Sequence, residues 1–252
     1  MIFELANCGF FLVIKVFYGK LVMGIYLGGV RLNRVDRTYR DKLRILLILY
    51  FFSEEIGADS EEVDDQYKKV FRSEVRIQKI DFLMRYPDYL SFELLELLEE
   101  DDSRINKEEI KEEIKSIFEN NEPEIRRDDM LRYFFGAYEE IDHIIAFLVS
   151  TGFIVYKSKK NAAGREYDKI YYLTQNGIAK IENQILKHID KTKWYGERCK
   201  LIKKYFGNLT GTELKVRQYT HEEYRLTPIN EYIKGVQENV KNKYYSIYGE
   251  EI

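Results

Sequence analysis

The segment from residue 157 to 169 carries the side chains best suited to chemistry in this sequence, and that chemistry is contact with phosphate. Its acidic residues are Glu166 and Asp168, whereas its basic residues number five: Lys157, Lys159, Lys160, Arg165 and Lys169. Clustered ammonium and guanidinium groups bind the DNA backbone by releasing counterions, whatever the base sequence. The pattern favours salt-sensitive, non-specific DNA binding, although an ordinary solvated lysine-rich surface accounts for the same residues.

A second basic group follows in a helix predicted from Lys193 to Phe206. Its lysines would extend the first group: Lys193, Lys200, Lys203 and Lys204. The two groups together form the predicted DNA-binding site, with duplex DNA as the ligand.

The start of another predicted helix carries the opposite charge. Glu139, Glu140 and Asp142 lie where a helix that reads DNA usually offers Arg, Lys, Asn or Gln. Three carboxylates at that position would repel the phosphates, so direct reading of a base sequence is disfavoured. We predict instead that these three residues contact a protein partner.

Motifs for catalysis or for a cofactor are not found in the sequence. There is no GxxxxGK[ST] loop for phosphate, and the three histidines lack the i, i+4 spacing of a zinc-binding helix. Cys8 and Cys199 have no metal-binding spacing and no disulfide framework, which favours a reducing, cytoplasmic location. The sequence predicts a protein without catalytic residues, metal or cofactor.

One pattern resembles part of the PD…ExK motif of metal-dependent nucleases. It consists of Pro87-Asp88 and, later, Glu109-Ile110-Lys111. Glu109 and Lys111 fall in the first turn of a predicted helix, where side chains at i and i+2 point apart. We therefore expect a solvated helix face here rather than a magnesium site.

Overall charge places a further limit on function. The 252 residues include 40 Lys and Arg against 43 Asp and Glu, which gives a net charge of −3. Proteins that coat nucleic acid through bulk charge are usually strongly basic, so that class is disfavoured, whereas a local basic patch is not.

The first 35 residues form a separate apolar segment. Its two apolar runs, 10–17 and 21–30, are interrupted by Lys15 and Lys20. A membrane span needs about twenty apolar residues, so a membrane anchor is disfavoured. We expect a buried β-hairpin or a mobile end, and a true start at Met23 is a further explanation.

The elements that must position the basic segment are those of a winged helix. The pattern predicts a helix over Arg126–Phe135 that ends at Gly136, and a second over Ala137–Thr151 that ends at Gly152. Strands are predicted at 153–157 and 167–173, and a third helix begins at Thr174 and runs to Leu186. This order of helix, turn, helix, two-stranded wing and helix is typical of a winged helix-turn-helix.

Additional helices are predicted before and after this unit, which makes the chain mainly α with a small β content. They include a buried core helix over 41–52, an amphipathic helix closed at Tyr86-Pro87, and a helix opened by Asn106. An N-cap at Thr227 with Pro228 at the first position predicts a last helix that reaches Tyr248. The acidic runs 54–65 and 93–113 are solvated surfaces or contacts for a basic partner.

We therefore expect four consecutive regions. These are the apolar segment 1–35, a helical domain 36–122, a winged-helix domain 123–190 and a basic helical region 191–252.

Four stretches of this chain resemble one family of bacterial defence proteins. They are DKLRILLILYFF at 41–52, KIDFLMRYPDYL at 79–90, AFLVSTGFIVYK at 146–157 and YYLTQNGIAKI at 171–181. Their order is similar to that in the middle components of three-part systems built around an SMC-like ABC ATPase, and the Lamassu middle subunit is the nearest of these. The resemblance spans roughly residues 40–185.

The resemblance implies an accessory subunit without catalysis of its own. Such a subunit would bridge or regulate the ATPase and an effector, commonly a nuclease, in antiviral or antiplasmid immunity. The alternative is a homodimeric winged-helix transcriptional regulator in which the 228–248 helix forms the dimer.

Overall fold

The computed structural model describes residues 32–57, 66–100, 105–134, 136–164 and 166–252, with side chains from residue 37 onward. The predictions for residues 1–31, for most of the acidic run 54–65 and for Arg165 lie outside the described residues. Within the expected 1–35 segment, a helix begins at Leu32.

Helices dominate the described residues, and the strands are short. The helices are α1 (Leu32–Phe52), α2 (Glu74–Arg85), α3 (Pro87–Leu97), α4 (Lys107–Glu119), α5 (Glu122–Ile125), α6 (Asp142–Ser150), α7 (Gln175–Lys180), α8 (Leu186–His188), α9 (Lys191–Phe206), α10 (Gly211–Thr220), α11 (Glu222–Leu226) and α12 (Gln237–Tyr248). A π-helical turn, Ile181–Ile185, joins α7 to α8. The strands are β1 (Glu54–Glu55), β2 (Tyr67–Arg72), β3 (Leu131–Tyr133), β4 (Gly136–Tyr138), β5 (Ile154–Lys160) and β6 (Glu166–Thr174).

The chain folds into two units, each made from two separate segments. The first combines the described residues up to Phe71 with Ile141–Tyr195, and the second combines Arg72–Glu140 with Gly196–Ile252. The boundary expected after residue 122 falls inside the second unit, and the one expected after residue 190 falls inside the first. The four consecutive regions expected from the sequence are therefore not the units of this fold.

The first unit is built on a four-stranded sheet in the order β1-β2-β6-β5. Helix α1 packs against α6 and β6, and its residues Ile45–Leu49 and Phe52 are almost completely buried. This confirms the buried core helix predicted over 41–52.

Local capping signals set the ends of the elements that flank the wing. Gly152 follows α6 with φ +71°, and the Phe153 N–H donates to the Leu148 carbonyl at 3.0 Å, which closes the helix as predicted. The Thr174 hydroxyl accepts from the Gly177 N–H at 2.8 Å and caps α7, also as predicted. Strands β5 and β6 lie at the predicted wing, and each is longer than predicted.

The second unit packs α2 against α10, and α3 against α4 and α12. Asn106 caps α4, as predicted, by accepting from the Glu108 and Glu109 N–H groups. Ile110, Ile114 and Ile117 form its buried stripe.

One predicted helix is wrong, and another begins later than predicted. The described residues 126–134 contain no helix, and Leu131–Tyr133 forms β3, which pairs with β4 as an antiparallel hairpin. Ala137 and Tyr138 belong to β4, so the helix expected from Ala137 begins at Asp142 instead. The apolar spacing fitted a helix, but pairing with residues 230–233, far along the chain, stabilises a strand.

The last helix also begins later than predicted. The Thr227 hydroxyl donates to the Glu223 carbonyl at 2.6 Å at the end of α11 rather than capping a helix that follows. Helix α12 starts at Gln237, and its buried Val240 and Tyr244 lie on the helix that packs against α3. This apolar face is therefore already used within the unit.

Among the described helices, none combines the length and the apolar character needed to cross a membrane.

Replacement of Gly177 by alanine should destabilise the first unit by about 1–3 kcal/mol, because a Cβ there would overlap the backbone carbonyl of Phe153. Urea denaturation measures this loss. Gly57→Ala is the matched control, since a Cβ at Gly57 meets nothing within 4 Å. Equal unfolding free energies for the two variants would contradict the close approach.

Lys79 should make the stability of the second unit depend on pH. Burial lowers the pKa of this lysine from 10.5 to about 7, so between these values the unfolded chain binds more protons than the folded chain. The unfolding free energy should therefore rise from pH 7.5 to 9.5 by up to about 1.4 kcal/mol per pH unit relative to Lys79→Met. Parallel pH profiles of wild type and variant in urea denaturation would refute this assignment.

Candidate nucleic-acid interface

The β5–β6 hairpin is the candidate interface, and we call it the wing. Its strands pair from Ile154↔Leu173 at the base to Lys160↔Glu166 near the tip. The register shifts between Lys157 and Lys159, and the opposite residue Asp168 has φ +52°. A β-bulge of this kind increases the local twist, so the outer part of the wing is rotated relative to its base.

The two lysines of the outer wing each face a carboxylate on the opposite strand. Lys159 Nζ lies 2.6 Å from Asp168 Oδ2, and Lys160 Nζ lies 3.9 Å from Glu166 Oε1. Both lysine side chains are 66% exposed. The hydrogen bond that Lys159 donates to Asp168 raises the pKa of this lysine, which keeps the amine charged at neutral pH.

Exposed ion pairs of this kind are weak. They typically contribute between zero and about 1 kcal/mol, because water and salt screen them. A phosphate can therefore replace either carboxylate as the partner of its lysine at little energetic cost.

The two lysines nearer the base of the wing are held more firmly. Lys157 Nζ lies 5.0 Å from the ring centroid of Tyr172 and 5.5 Å from that of Tyr67. Lys169 Nζ lies 3.6 Å from Asp142 Oδ1 at the start of α6. Sequence reasoning missed Tyr67, because only the pairing of β2 into the wing sheet brings this residue beneath Lys157.

Helix α6 is the part of the predicted winged helix that would read bases. Its exposed side chains include no Lys or Arg: Asp142, His143, Ala146, Val149 and Ser150. Asp142 lies in the first turn, where the helix dipole stabilises its carboxylate. The negative charge of this carboxylate would repel a DNA phosphate. These residues are compatible with the prediction that the helix does not read a base sequence, which stays a prediction.

The three carboxylates predicted to contact a partner do not share one helix start. Glu139 and Glu140 belong to the second unit, whereas Asp142 belongs to the first. Glu139 forms an ion pair with the buried Arg85, and its backbone N–H donates to the Gln78 side-chain oxygen at 3.1 Å. Glu139 is thus largely used within its own unit, and Glu140 is exposed.

The predicted extension of the basic site is also divided between the units. Lys193 belongs to the first unit and lies 3.3 Å from Asp190, whereas Lys200, Lys203 and Lys204 belong to the second. Lys204 forms an ion pair with Glu109 of α4. The nine predicted DNA-binding residues are therefore not a surface of one unit.

Charge is distributed very unevenly between the two units. In the sequence, residues 1–71 and 141–195 carry 19 Lys and Arg against 15 Asp and Glu. The two segments of the second unit carry 21 Lys and Arg against 28 Asp and Glu. The net charge of −3 for the whole chain thus combines a basic unit and an acidic one.

The residues of the nuclease-like pattern have structural roles. Asp88 is completely buried, and its carboxylate accepts from the backbone N–H groups of Val236 at 2.6 Å and Tyr89 at 3.0 Å. Burial raises the pKa of Asp88, against the effect of these hydrogen bonds. Glu109 is instead exposed in its pair with Lys204. This arrangement fits a solvated helix face and a buried backbone anchor better than a magnesium site.

Comparison with known proteins gives no further guidance to the family. No family model, curated protein or solved structure matches the chain.

Proposed function

We propose that this chain is a non-catalytic winged-helix accessory subunit that contacts duplex DNA through the phosphates. In this proposal the first unit is the winged helix, with α1 and α6 as its packed helices and β5 and β6 as its wing. Helix α1 takes the role for which the sequence predicted a helix over residues 126–135. The order of α6, β5, β6 and α7, with β2 beside the wing, supports this interpretation.

One observation carries the DNA contact. Lys159 and Lys160 are each two-thirds exposed, and each forms an ion pair with a carboxylate on the wing itself. Such pairs hold the ammonium groups at the surface without burying them. Their exchange for phosphate oxygens would release counterions, which is the main source of non-specific DNA affinity.

The lack of base reading follows from α6. A specific contact in the major groove commonly uses Arg or Lys on guanine, or Asn or Gln on adenine. The exposed face of α6 offers Asp142, His143 and Ser150 instead. The proposed contact is therefore with the backbone alone.

The role as a subunit of a larger complex rests on the resemblance of residues 40–185 to the middle components of SMC-like ABC ATPase systems. It is supported by the acidic second unit, which has no counterpart in a minimal winged helix. We propose that the chain bridges or regulates such an ATPase and its effector in antiphage or antiplasmid defence. A homodimeric transcriptional regulator is the alternative, but the face of α12 meant for that dimer packs against α3.

Lys159→Ala combined with Lys160→Ala should weaken DNA binding equally on unrelated duplexes. The slope of log affinity against log salt should fall by roughly two, because two phosphate contacts are lost. Fluorescence anisotropy across a salt series measures both quantities for the intact chain.

Lys115→Ala combined with Lys241→Ala is the matched control. It removes two ion-paired lysines of the second unit and should leave the slope unchanged. Equal binding by wild type and the wing variant would exclude the wing as the contact. A preference for one duplex that persists at physiological salt would favour the regulator.

Asp168→Asn should strengthen DNA binding by roughly two- to fivefold. The change removes a negative charge from the wing and frees Lys159 from its partner, while asparagine tolerates the left-handed backbone at this position. Glu238→Gln, which removes the partner of Lys241 in the second unit, is the control. Unchanged or weaker binding by Asp168→Asn would place the phosphate elsewhere.

A further inference from the structure

The β-bulge in the wing changes which side chains share a face. Between Lys157 and Lys159, strand β5 advances by two residues. Their partners on β6, Ile170 and Tyr167, are three residues apart. The additional residue on β6 coincides with the left-handed backbone of Asp168, and bulges re-aim the side chains beside them. In a regular strand, by contrast, Tyr167 would lie on the face opposite to that of Ile170.

The bulge places Tyr167 on the same face as two lysines. Cross-strand partners share a face, and so do residues two apart on a regular strand. Lys157, Lys159 and Tyr167 therefore line one side of the wing, which we call the Tyr167 face. Tyr67 lies on the same side, beneath Lys157.

Tyr167 differs from the neighbouring tyrosines of the wing in its exposure. Tyr171 and Tyr172 are almost completely buried. The Tyr156 hydroxyl donates to Glu166 Oε2 at 2.5 Å. Tyr167 is instead 52% exposed. Its ring is therefore accessible to a ligand that the wing binds.

The charges beside Tyr167 favour an anionic ligand. Lys157 and Lys159 share its face, and Asp168 reaches Lys159 Nζ with a separation of 2.6 Å. Glu166 precedes Tyr167 by one residue and therefore points to the opposite face. Among the wing residues, two ammonium groups and one carboxylate thus meet at the Tyr167 face, which leaves an excess of positive charge there.

A nucleic acid with an unpaired base matches both the ring and the charge. Proteins that bind single strands combine basic groups along the backbone with aromatic side chains on which the bases stack. In a duplex the flat faces of the bases are covered by neighbouring base pairs, and a protein reaches only the groove edges and the sugar–phosphate backbone. An exposed tyrosine between lysines therefore gains most from a strand whose bases are unpaired.

We propose that Tyr167 stacks on an unpaired base of DNA while Lys157 and Lys159 hold the adjoining phosphates. The wing then prefers a single-stranded overhang beside a duplex to an uninterrupted duplex. Stacking tolerates any base, which agrees with a wing contact that reads no base sequence. This inference rests on the proposed DNA contact and names the form of DNA that the contact selects.

Fluorescence anisotropy of the full chain with two overhang duplexes tests the stacking. The overhangs have the same length and phosphates, but one of them is abasic. Wild type should bind the overhang with bases at least about fivefold more tightly than the abasic one. Tyr167→Ser should remove this difference, whereas Tyr167→Phe, which keeps the ring, should retain it. Equal affinity of wild type for the two overhangs would overturn the stacking.

Tyr232→Ser is the matched control, because it removes a 60% exposed tyrosine outside the wing and should leave the difference between the overhangs unchanged. Since Tyr167 carries no charge at neutral pH, Tyr167→Ser should also preserve the salt dependence of duplex binding, which shows in addition that the variant is folded.

The inference and the proposed DNA contact fail in different ways. Duplex binding that is weakened by Lys159→Ala and Lys160→Ala, without any difference between the two overhangs, would overturn the stacking and leave the phosphate contact in place. A wild-type chain that binds none of these DNAs would overturn both. Tighter binding of an RNA overhang than of the DNA overhang would overturn the assignment to DNA.

Discussion

The burial of Arg85 is the interaction on which the second unit depends. A guanidinium group out of water must satisfy its donors, because an uncompensated buried charge costs several kcal/mol. Its Nε donates to the Asp128 carbonyl at 2.7 Å and its Nη2 to the Asp129 carbonyl at 2.8 Å, while Nη1 pairs with Asp81 and Glu139. Helix α2 is thereby tied to the chain just before β3 and just after β4. Both ends of the β3–β4 hairpin are therefore held by one buried side chain.

Elements with local signals could be predicted from the sequence, and those held by distant contacts could not. Gly152 and Thr174 set the ends of α6 and α7 through their own backbone and hydroxyl chemistry, so the wing was found where the sequence placed it. The β3–β4 hairpin has no comparable signal. Its strands depend on Arg85 and on residues 230–233, and the same apolar pattern taken alone fits a short helix.

In the wing, too, some features could be predicted from the sequence and others depend on contacts between distant residues. Residue type and spacing identified the wing lysines, since charge needs no tertiary partner to be recognised. They could not reveal that Asp168 and Glu166 face Lys159 and Lys160, nor that β2 brings Tyr67 beneath Lys157. Nor could they reveal that the carboxylate of Glu139 pairs with the buried Arg85.

Net charge misleads for a chain of this kind because charges act locally. At physiological ionic strength the screening length is about 8 Å, so a phosphate at the wing senses the lysines around it and little of the acidic unit. The overall composition therefore disfavours DNA binding through bulk charge, whereas a phosphate contact at the wing depends on the local lysines.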